Sequence, residues 1–302
     1  MTRRYSSAVD FKQALEERLR RDATGPEIPR RRQLLAFQRL LARVLPGLGR
    51  NVVLKGGLAL EVRLGGARTT GDIDLVLFGT EDALLERLQA LGQLDLGDFM
   101  TFEIQPKKTT PDVAGDGVLY GGKRFRVECR LAGKLFGNPF GLDIMFGGHM
   151  LGDGTAVQGA DYLGFAGIEA PMLPLVPIET HLAEKLHAYT LPRTSPNSRV
   201  RELPDMALLA TAPDPLHAHR ITEAIQLTFR ARGTHDAPDV LPAPPLAWRT
   251  SYAALASEQK LRWKTLEEVL VAVQAFLDPV LRGDDCGTWS RERWSWSAIA
   301  TS

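Results

Sequence analysis

The sequence predicts an α+β protein in which a lobe built on a mixed β-sheet precedes a helical lobe. Up to about residue 165, short apolar runs are separated by glycine turns, which is typical of strands. After that point the apolar residues recur with helical spacing. The predicted organisation is N-terminal helices over 1–50 that pack on the first lobe, a sheet lobe over 51–168 and a helical lobe over 169–302.

Periodicity and helix-breaking residues predict the individual elements. Phe11, Leu15 and Leu19 recur at every fourth position and predict the first helix, and Pro46 and Gly47 are predicted to end the second. The predicted elements of the sheet lobe and its N-terminal helices are helices over 8–22, 30–45, 58–64 and 81–91, and strands over 51–54, 72–78, 101–106, 125–133 and 141–147. A proline-rich stretch (170–180) introduces the helical lobe. Its predicted helices cover 180–190, 204–211, 216–232, 251–262 and 265–281.

Composition excludes several classes of protein. The 302 residues are 44% hydrophobic and 24% charged, as in ordinary globular proteins, and the net charge is only +1. Residues 1–50 nevertheless hold 12 Lys and Arg against 5 Asp and Glu, which indicates either a polyanionic partner or a solvated helix face. The two cysteines lack the spacing of a disulfide scaffold or zinc site and fit a reducing compartment. Without a signal peptide or a membrane-length apolar run, we expect a cytoplasmic protein with no membrane partner.

Two carboxylates stand two residues apart in the strand DIDLVLF. Side chains at i and i+2 of a strand share a face, so Asp72 and Asp74 lie side by side while Ile73 and Leu75 point into the core. A divalent cation offsets the repulsion between such neighbours, and magnesium prefers carboxylate and phosphate oxygens. The alternative interpretation is a pair of surface acids at a strand edge.

The segment Lys55-Gly56-Gly57 adds a second feature, because it follows a strand and opens a helix. Glycines allow the backbone to approach phosphate oxygens, and the first N–H groups of a helix bind anions. The order of residues is not that of a Walker loop. A strand, a KGG turn and a helix, followed within about 20 residues by a strand with T-x-D-x-D, form a more specific combination than either motif alone.

These motifs together resemble one family. KGGLAL (55–60) followed by TTGDID (69–74) is similar to the signature of the AbiEii/AbiGii toxin family of nucleotidyltransferases, which includes the MenT toxins and belongs to the DNA polymerase β-like superfamily. The resemblance implies a DNA polymerase β-like lobe in which Asp72 and Asp74 hold Mg²⁺ or Mn²⁺ and a nucleoside triphosphate. Thr70 replaces the usual serine, and Thr70, Gly71, Lys55, Gly56 and Gly57 are the implied phosphate-binding residues.

Three later segments extend the resemblance. The third metal-binding acid of the superfamily comes from a later strand; Asp143 in FGLDIMF (140–146) fits, and Glu128 is the alternative. ETHLAEKLHA (179–188) resembles the family helix whose lysine contacts the triphosphate, which assigns that role to Lys185. RELPDMALL (201–209) resembles the segment that supplies a last active-site acid, here Asp205; Glu202 replaces another aspartate of that segment. Asp205 is expected to orient Lys185 through a charged hydrogen bond.

The resemblance also implies a function. Members of the family are toxins that pair with a cognate antitoxin, and several transfer a nucleoside monophosphate to the 3′ end of tRNA and so block translation. Basic residues at 29–32, Arg39, Arg43 and Lys123-Arg124 are the expected contacts to the RNA backbone. Transfer to a protein hydroxyl, or to a small molecule such as an aminoglycoside, is an alternative. A third possibility is a regulator that binds a nucleoside triphosphate without transferring it.

Overall fold

The computed structural model describes residues 5–66, 70–79, 82–109, 112, 121–147, 150–194, 197–284 and 286–297. The helices within these residues are α1 (Ala8–Asp22), α2 (Glu27–Leu48), α3 (Gly56–Leu64), α4 (Leu84–Gly92), α5 (Ile178–Thr190), α6 (Glu202–Leu209), α7 (Ala218–Arg232), α8 (Trp248–Glu258) and α9 (Leu266–Leu281). The strands are β1 (Val52–Lys55), β2 (Asp72–Leu77), β3 (Met100–Pro106), β4 (Gly122–Leu131), β5 (Lys134–Leu135), β6 (Phe140–Phe146), β7 (Thr155–Gln158), β8 (Met172–Leu175), β9 (Thr288–Ser290) and β10 (Ser295–Ser297).

The described strands form one mixed sheet and a separate hairpin. The sheet order is β3-β4-β6-β2-β1-β8-β7, with β5 paired to β4, while β9 and β10 form the hairpin. β2 lies in the centre, parallel to β6 and antiparallel to β1. Because β2 is central, residues of β6 and of β1 lie on either side of its two acids.

The two faces of the sheet differ in character. On one face, Ile73 and Leu75 of β2 are fully buried in a hydrophobic core shared with α1, α2 and α4. The opposite face carries the acids of β2 and is approached by α5, whose Thr180 and Glu184 line a cleft together with Val53 of β1. A second hydrophobic core is built from α5 to α9 and the C-terminal hairpin, and we refer to the part of the chain around each of these two cores as a lobe.

The structure corrects several predicted boundaries. α2 runs through Pro46 to Leu48 and ends at Gly49, whose backbone N–H reaches Leu45. A proline near the end of a helix removes only one hydrogen bond, which explains why it does not stop the helix. Lys55 belongs to β1, and Gly56 already begins α3. Thr69 and the predicted start of the helix over 81–91 lie outside the described residues.

Five of the described strands are absent from the sequence prediction, and one of them is the two-residue strand β5. The other four are β7, β8 and the hairpin β9–β10. β8 lies inside the proline-rich stretch and pairs with both β1 and β7, so the sheet continues to Leu175, beyond residue 168.

In the described part of the chain, no helix combines the length and apolarity needed to cross a membrane. Cys129 and Cys286 are both buried, in different hydrophobic cores.

Candidate active site

Four charged residues form a row across the centre of the sheet. Arg124 of β4 is paired in register with Asp143 of β6, Asp143 with Asp74 of β2, and Asp74 with Lys55 of β1. Residues directly opposite one another on adjacent strands project from the same face, and neighbouring strands lie about 4.8 Å apart. Two carboxylates therefore stand next to each other with a cation on each outer side.

Asp72 stands beside this row, two residues before Asp74. It is exposed, and its Oδ1 accepts a hydrogen bond of 3.0 Å from the backbone N–H of Gly141 on β6. A Cβ at position 141 would lie 2.5 Å from that oxygen, so only glycine leaves room for the carboxylate. The three acids that the sequence predicts as metal ligands are thus carried by two adjacent central strands.

Asp74 lies against the start of α3. Gly56 has a φ of +67°, and a Cβ there would lie 2.0 Å from Asp74 Oδ2. Burial raises the pKa of Asp74 to about 6; Lys55 and Lys185 lower this pKa, while Asp143 and Asp72 raise it. Lys185, which belongs to the helical lobe, is one of the two cations that lower this pKa. The helical lobe therefore contributes a lysine to the same site.

Asp143 is held by Arg124, whose Nε lies 3.0 Å from Asp143 Oδ2. Burial raises the pKa of Asp143 and Asp72 adds to this effect, while Arg124 opposes it. The alternative third acid, Glu128, lies four residues from Arg124 along β4, which is about 13 Å in a strand. Glu128 instead contacts Arg126 at 2.8 Å. The geometry therefore favours Asp143 over Glu128.

The side chains at this site are of the chemical type that binds a divalent cation. Three hard carboxylate donors project from one face, and the pKa of Asp74 is raised partly by its acidic neighbours, which a cation would offset. Within the described residues, no three His, Cys, Asp or Glu side chains are gathered into a preassembled metal cluster. The contact of Asp143 with Arg124 and that of Asp72 with Gly141 explain why the three carboxylates do not converge on a single point.

Lys185 reaches the site from α5 between two acids of α6. Its Nζ lies 2.8 Å from Asp205 Oδ2 and 2.8 Å from Glu202 Oε2. Burial lowers the pKa of Lys185, but the two carboxylates outweigh it and the pKa lies above its usual value. The expected ion pair with Asp205 is present, and Glu202 joins it. His181, one turn earlier, is buried, and burial together with Lys185 holds its pKa well below the usual value.

The remaining predicted phosphate-binding residues surround the acids. Lys55, the last residue of β1, lies opposite Asp74, and Gly56 and Gly57 form the first turn of α3. Thr70 precedes the acids, and its Oγ1 donates a 3.4 Å hydrogen bond to the Asp72 carbonyl. Gly71 is exposed next to Asp72.

Two predicted RNA contacts are wrong. Arg39 and Arg43 are buried, and both bind the fully buried Asp98, at 2.6 and 2.7 Å. Guanidinium groups enclosed with a carboxylate are not available to an RNA backbone. The sequence suggested a basic surface because helical spacing alone does not show which arginines have a buried acid opposite them.

Two charged residues near the site were not predicted. Glu184 of α5 and Arg232 at the end of α7 lie 3.5 Å apart, and Glu184 also lies 3.5 Å from Lys55. A lone Glu or Arg on an amphipathic helix carries no local signal of function, because most such residues are solvated. Only the position of Glu184 immediately before Lys185 could have drawn attention to it.

The chain is similar to one protein family and to several solved structures. A family model described as nucleotidyl transferase AbiEii toxin, type IV toxin–antitoxin system, matches residues 39–278. MenT4, a nucleotidyltransferase toxin from Mycobacterium tuberculosis, has a similar fold, with a TM-score of 0.59 and 18% identity over 96% of this chain and 93% of its own. JHP933 from Helicobacter pylori gives a TM-score of 0.43 and 14% identity over 86% of this chain and 94% of its own. A search of curated protein sequences finds no match.

The fold and the family match define a nucleotidyltransferase, which confirms the predicted fold and enzyme class. The chain belongs to the AbiEii family of toxins from toxin–antitoxin systems.

Proposed function

We propose that this toxin transfers a nucleoside monophosphate from a nucleoside triphosphate to an RNA acceptor, with the 3′ end of tRNA as the candidate. The row Arg124–Asp143–Asp74–Lys55, with Asp72 beside it, is the observation that carries the proposal. It joins two like charges to cations on either side, which is the charge pattern that phosphoryl chemistry requires.

The reaction assigns a direction to the row. The acceptor hydroxyl attacks the α-phosphorus, a new P–O bond forms, and the bond to the β-phosphate breaks to release pyrophosphate. Asp143 lies at the Arg124 side of the row, and we assign this side to the acceptor. Lys55, the first turn of α3 at Gly56-Gly57, and the Thr70-Gly71 loop lie on the triphosphate side. Lys185 reaches the phosphates from the helical lobe, oriented by Asp205 and Glu202.

Asp72, Asp74 and Asp143 would hold Mg²⁺ or Mn²⁺, which when bound offsets the negative charge of the phosphates and makes the acceptor hydroxyl more acidic. The protein's own contribution is to hold the reacting groups in place and to surround them with fixed charges. Asp143 is kept on the acceptor side by its 3.0 Å contact with Arg124.

A basic edge beside Asp143 supports an RNA acceptor. Arg124 and Arg126 project from the same face of β4 as the acids, and the Arg126 side chain is 55% exposed. Lys107 is close enough to lower the pKa of Asp143. Cations at the acceptor side suit the phosphates of a polynucleotide, and transfer to RNA should therefore weaken steeply as salt is raised.

Asp74→Asn tests the proposed chemistry. We expect transfer of labelled nucleotide to a tRNA pool to fall at least about a hundredfold, because a charged group at the reacting phosphate is lost. The pKa of Asp74 is raised, so its charge disfavours the folded state above pH 6, and Asn should leave the melting temperature equal or higher. Glu128→Gln is the matched control and should keep normal transfer. Normal transfer by the Asp74 variant would overturn the proposal.

The acceptor is tested separately. Labelled product formed in a cell lysate is digested either with RNase or with protease, and we expect only RNase to release the label. Label that resists RNase but yields to protease would identify a protein hydroxyl as the acceptor. Label that resists both digestions would identify a small molecule.

A further inference from the structure

Glu184 joins two cations from different elements next to the proposed triphosphate site. One Glu184 oxygen, Oε1, lies 3.5 Å from Lys55 Nζ and 3.5 Å from a terminal nitrogen of Arg232. The side chains of Lys55 and Arg232 are only 11% and 15% exposed. A carboxylate that bridges two largely buried cations occupies a position that suits an anion with several oxygens.

The three residues line a narrow cleft on the acid-bearing face. Its floor is formed by Val53, Val76 and Met145, which are the next in-register row of the sheet beyond Lys55, Asp74 and Asp143. The cleft has a volume of about 20 Å³, which is room for one or two water molecules. Glu184 therefore leaves little free space in the cleft, and its carboxylate offsets the positive charges of Lys55 and Arg232.

We propose that Lys55 and Arg232 bind the terminal phosphates of the nucleoside triphosphate, and that Glu184 holds their place while no nucleotide is bound. The inference rests on the proposed function and adds a substrate-binding residue, Arg232, and a competing internal anion, Glu184. Binding exchanges one carboxylate for the more highly charged phosphate oxygens and leaves Glu184 to turn toward solvent.

The geometry of the row assigns these cations to the terminal phosphates. The α-phosphorus must lie at the acids, between Asp74 and Asp143. The acceptor approaches from the side of Arg124, so the leaving pyrophosphate extends to the opposite side, where Lys55 and Arg232 lie. The guanidinium group of Arg232 can donate two hydrogen bonds to one phosphate, which a solvated lysine does less well.

Nucleotide affinity measured without an acceptor tests the inference. The probes are the α,β-methylene analogues of ATP, CTP, GTP and UTP, together with the four monophosphates, titrated with Mg²⁺ in a calorimeter. For Arg232→Gln we expect the triphosphate analogue to bind about ten- to a hundredfold more weakly, because a charged hydrogen bond is lost, while monophosphate affinity changes less than about twofold. For Glu184→Gln we expect triphosphate affinity to rise several-fold.

Controls separate binding from folding. Glu179→Gln removes a pair that joins the same two helices, Glu179 of α5 to Arg220 of α7 at 2.8 Å, but lies outside the cleft, and it should leave both affinities unchanged. Arg232→Lys retains the charge but not the paired hydrogen bonds, so it should bind the triphosphate analogue more tightly than Arg232→Gln and more weakly than wild type.

The outcomes distinguish this inference from the proposed function. An Arg232→Gln protein that loses triphosphate and monophosphate affinity equally would overturn the inference, as would a Glu184→Gln protein that binds the triphosphate more weakly than wild type. Either result leaves the proposed function intact, because the wild type still binds its nucleotide. A wild-type protein that binds none of the four triphosphate analogues overturns both.

Discussion

Lys185 carries its positive charge into the protein, where its side chain is only 13% exposed. Asp205, one of its two partners, is fully buried. The pair therefore has two roles that a single activity measurement does not separate: Lys185 is placed to meet the phosphates, and it neutralises an acid that has no access to water. Removing Lys185 affects both catalysis and folding.

For Lys185→Met we expect loss of transfer together with a fall of about 3–5 kcal/mol in the free energy of unfolding, because the fully buried Asp205 loses the ammonium group that lies 2.8 Å from its carboxylate. Urea denaturation measures the second effect. The double variant Lys185→Met/Asp205→Asn also removes the buried negative charge and should recover much of the stability but none of the transfer. A single variant as stable as the wild type would contradict the assignment of Asp205 as a buried partner.

Single residues also show how far sequence reasoning extends. The side-by-side placement of Asp72 and Asp74 follows from strand parity alone, and the family resemblance identified Lys185 and Asp205. The resemblance favoured Asp143 over Glu128, but neither parity nor resemblance contains the register between strands. Only the alignment of β2 with β6 places Asp143 opposite Asp74. Glu184 and Arg232 are 48 residues apart in the chain, and only the packing of α5 against α7 brings them together.

At the scale of elements, α3 has a glycine with positive φ at each end, and the two glycines serve different purposes. Gly56 has a φ of +67°, and a Cβ there would lie 2.0 Å from Asp74 Oδ2. Gly65 has a φ of +64° at the C-terminal cap, with nothing within 4 Å of a Cβ. The first glycine brings the helix close to an acid of the site, while the second only ends the helix.

We therefore expect Gly56→Ala to reduce transfer at least about a hundredfold, since the new methyl group must displace the Asp74 carboxylate from the reacting groups. Gly65→Ala bears the same conformational strain, about 1–2 kcal/mol, without the clash. It should lower the melting temperature but keep its transfer rate at 25 °C. Equal losses of transfer in the two variants would show that strain, rather than contact with Asp74, is responsible.

The strand β8 shows why sequence reasoning missed part of the sheet. β8 contains Pro174, and proline within an apolar run argues against a strand. The strand is stable because β1 and β7 lie on either side of it, a tertiary arrangement with no local signature. The predicted helices, by contrast, have long apolar stripes, and their positions hold to within a few residues. Thr265 is the N-cap residue of α9 and forms a complete capping box with Glu268.

At the scale of the whole molecule, the two hydrophobic cores are joined through α3. Leu60 of α3 is buried in the core of the helical lobe. Arg63 of the same helix donates a hydrogen bond of 2.6 Å to the Val176 carbonyl and lies 3.2 Å from Asp214. These contacts indicate that the lobes unfold as one unit, because separating them exposes Leu60 and leaves the largely buried Arg63 without its partners.

Asp98, Arg39 and Arg43 contact one another within the sheet lobe and its N-terminal helices. A substitution in this cluster therefore perturbs the sheet lobe directly, without touching the helical lobe. Burial raises the pKa of Asp98, but the two arginines lower this pKa by more than burial raises it. The pKa therefore lies below its usual value. A depressed carboxylate pKa stabilises the fold above the unfolded pKa of about 4, and this contribution is lost as the pH falls through the folded-state pKa. Asp98→Asn should therefore cost about 3–5 kcal/mol near neutral pH, and this cost should shrink in acid.

Tryptophan fluorescence then reports whether the perturbation crosses between lobes. All five tryptophans lie between residues 248 and 296, in the helical lobe, whereas Asp98 lies in the sheet lobe. If the lobes unfold together, Asp98→Asn shifts the urea midpoint measured by fluorescence as far as the midpoint measured by far-UV circular dichroism. A fluorescence midpoint that stays at the wild-type value, with a biphasic dichroism curve, would show that the contacts of α3 do not couple the two cores.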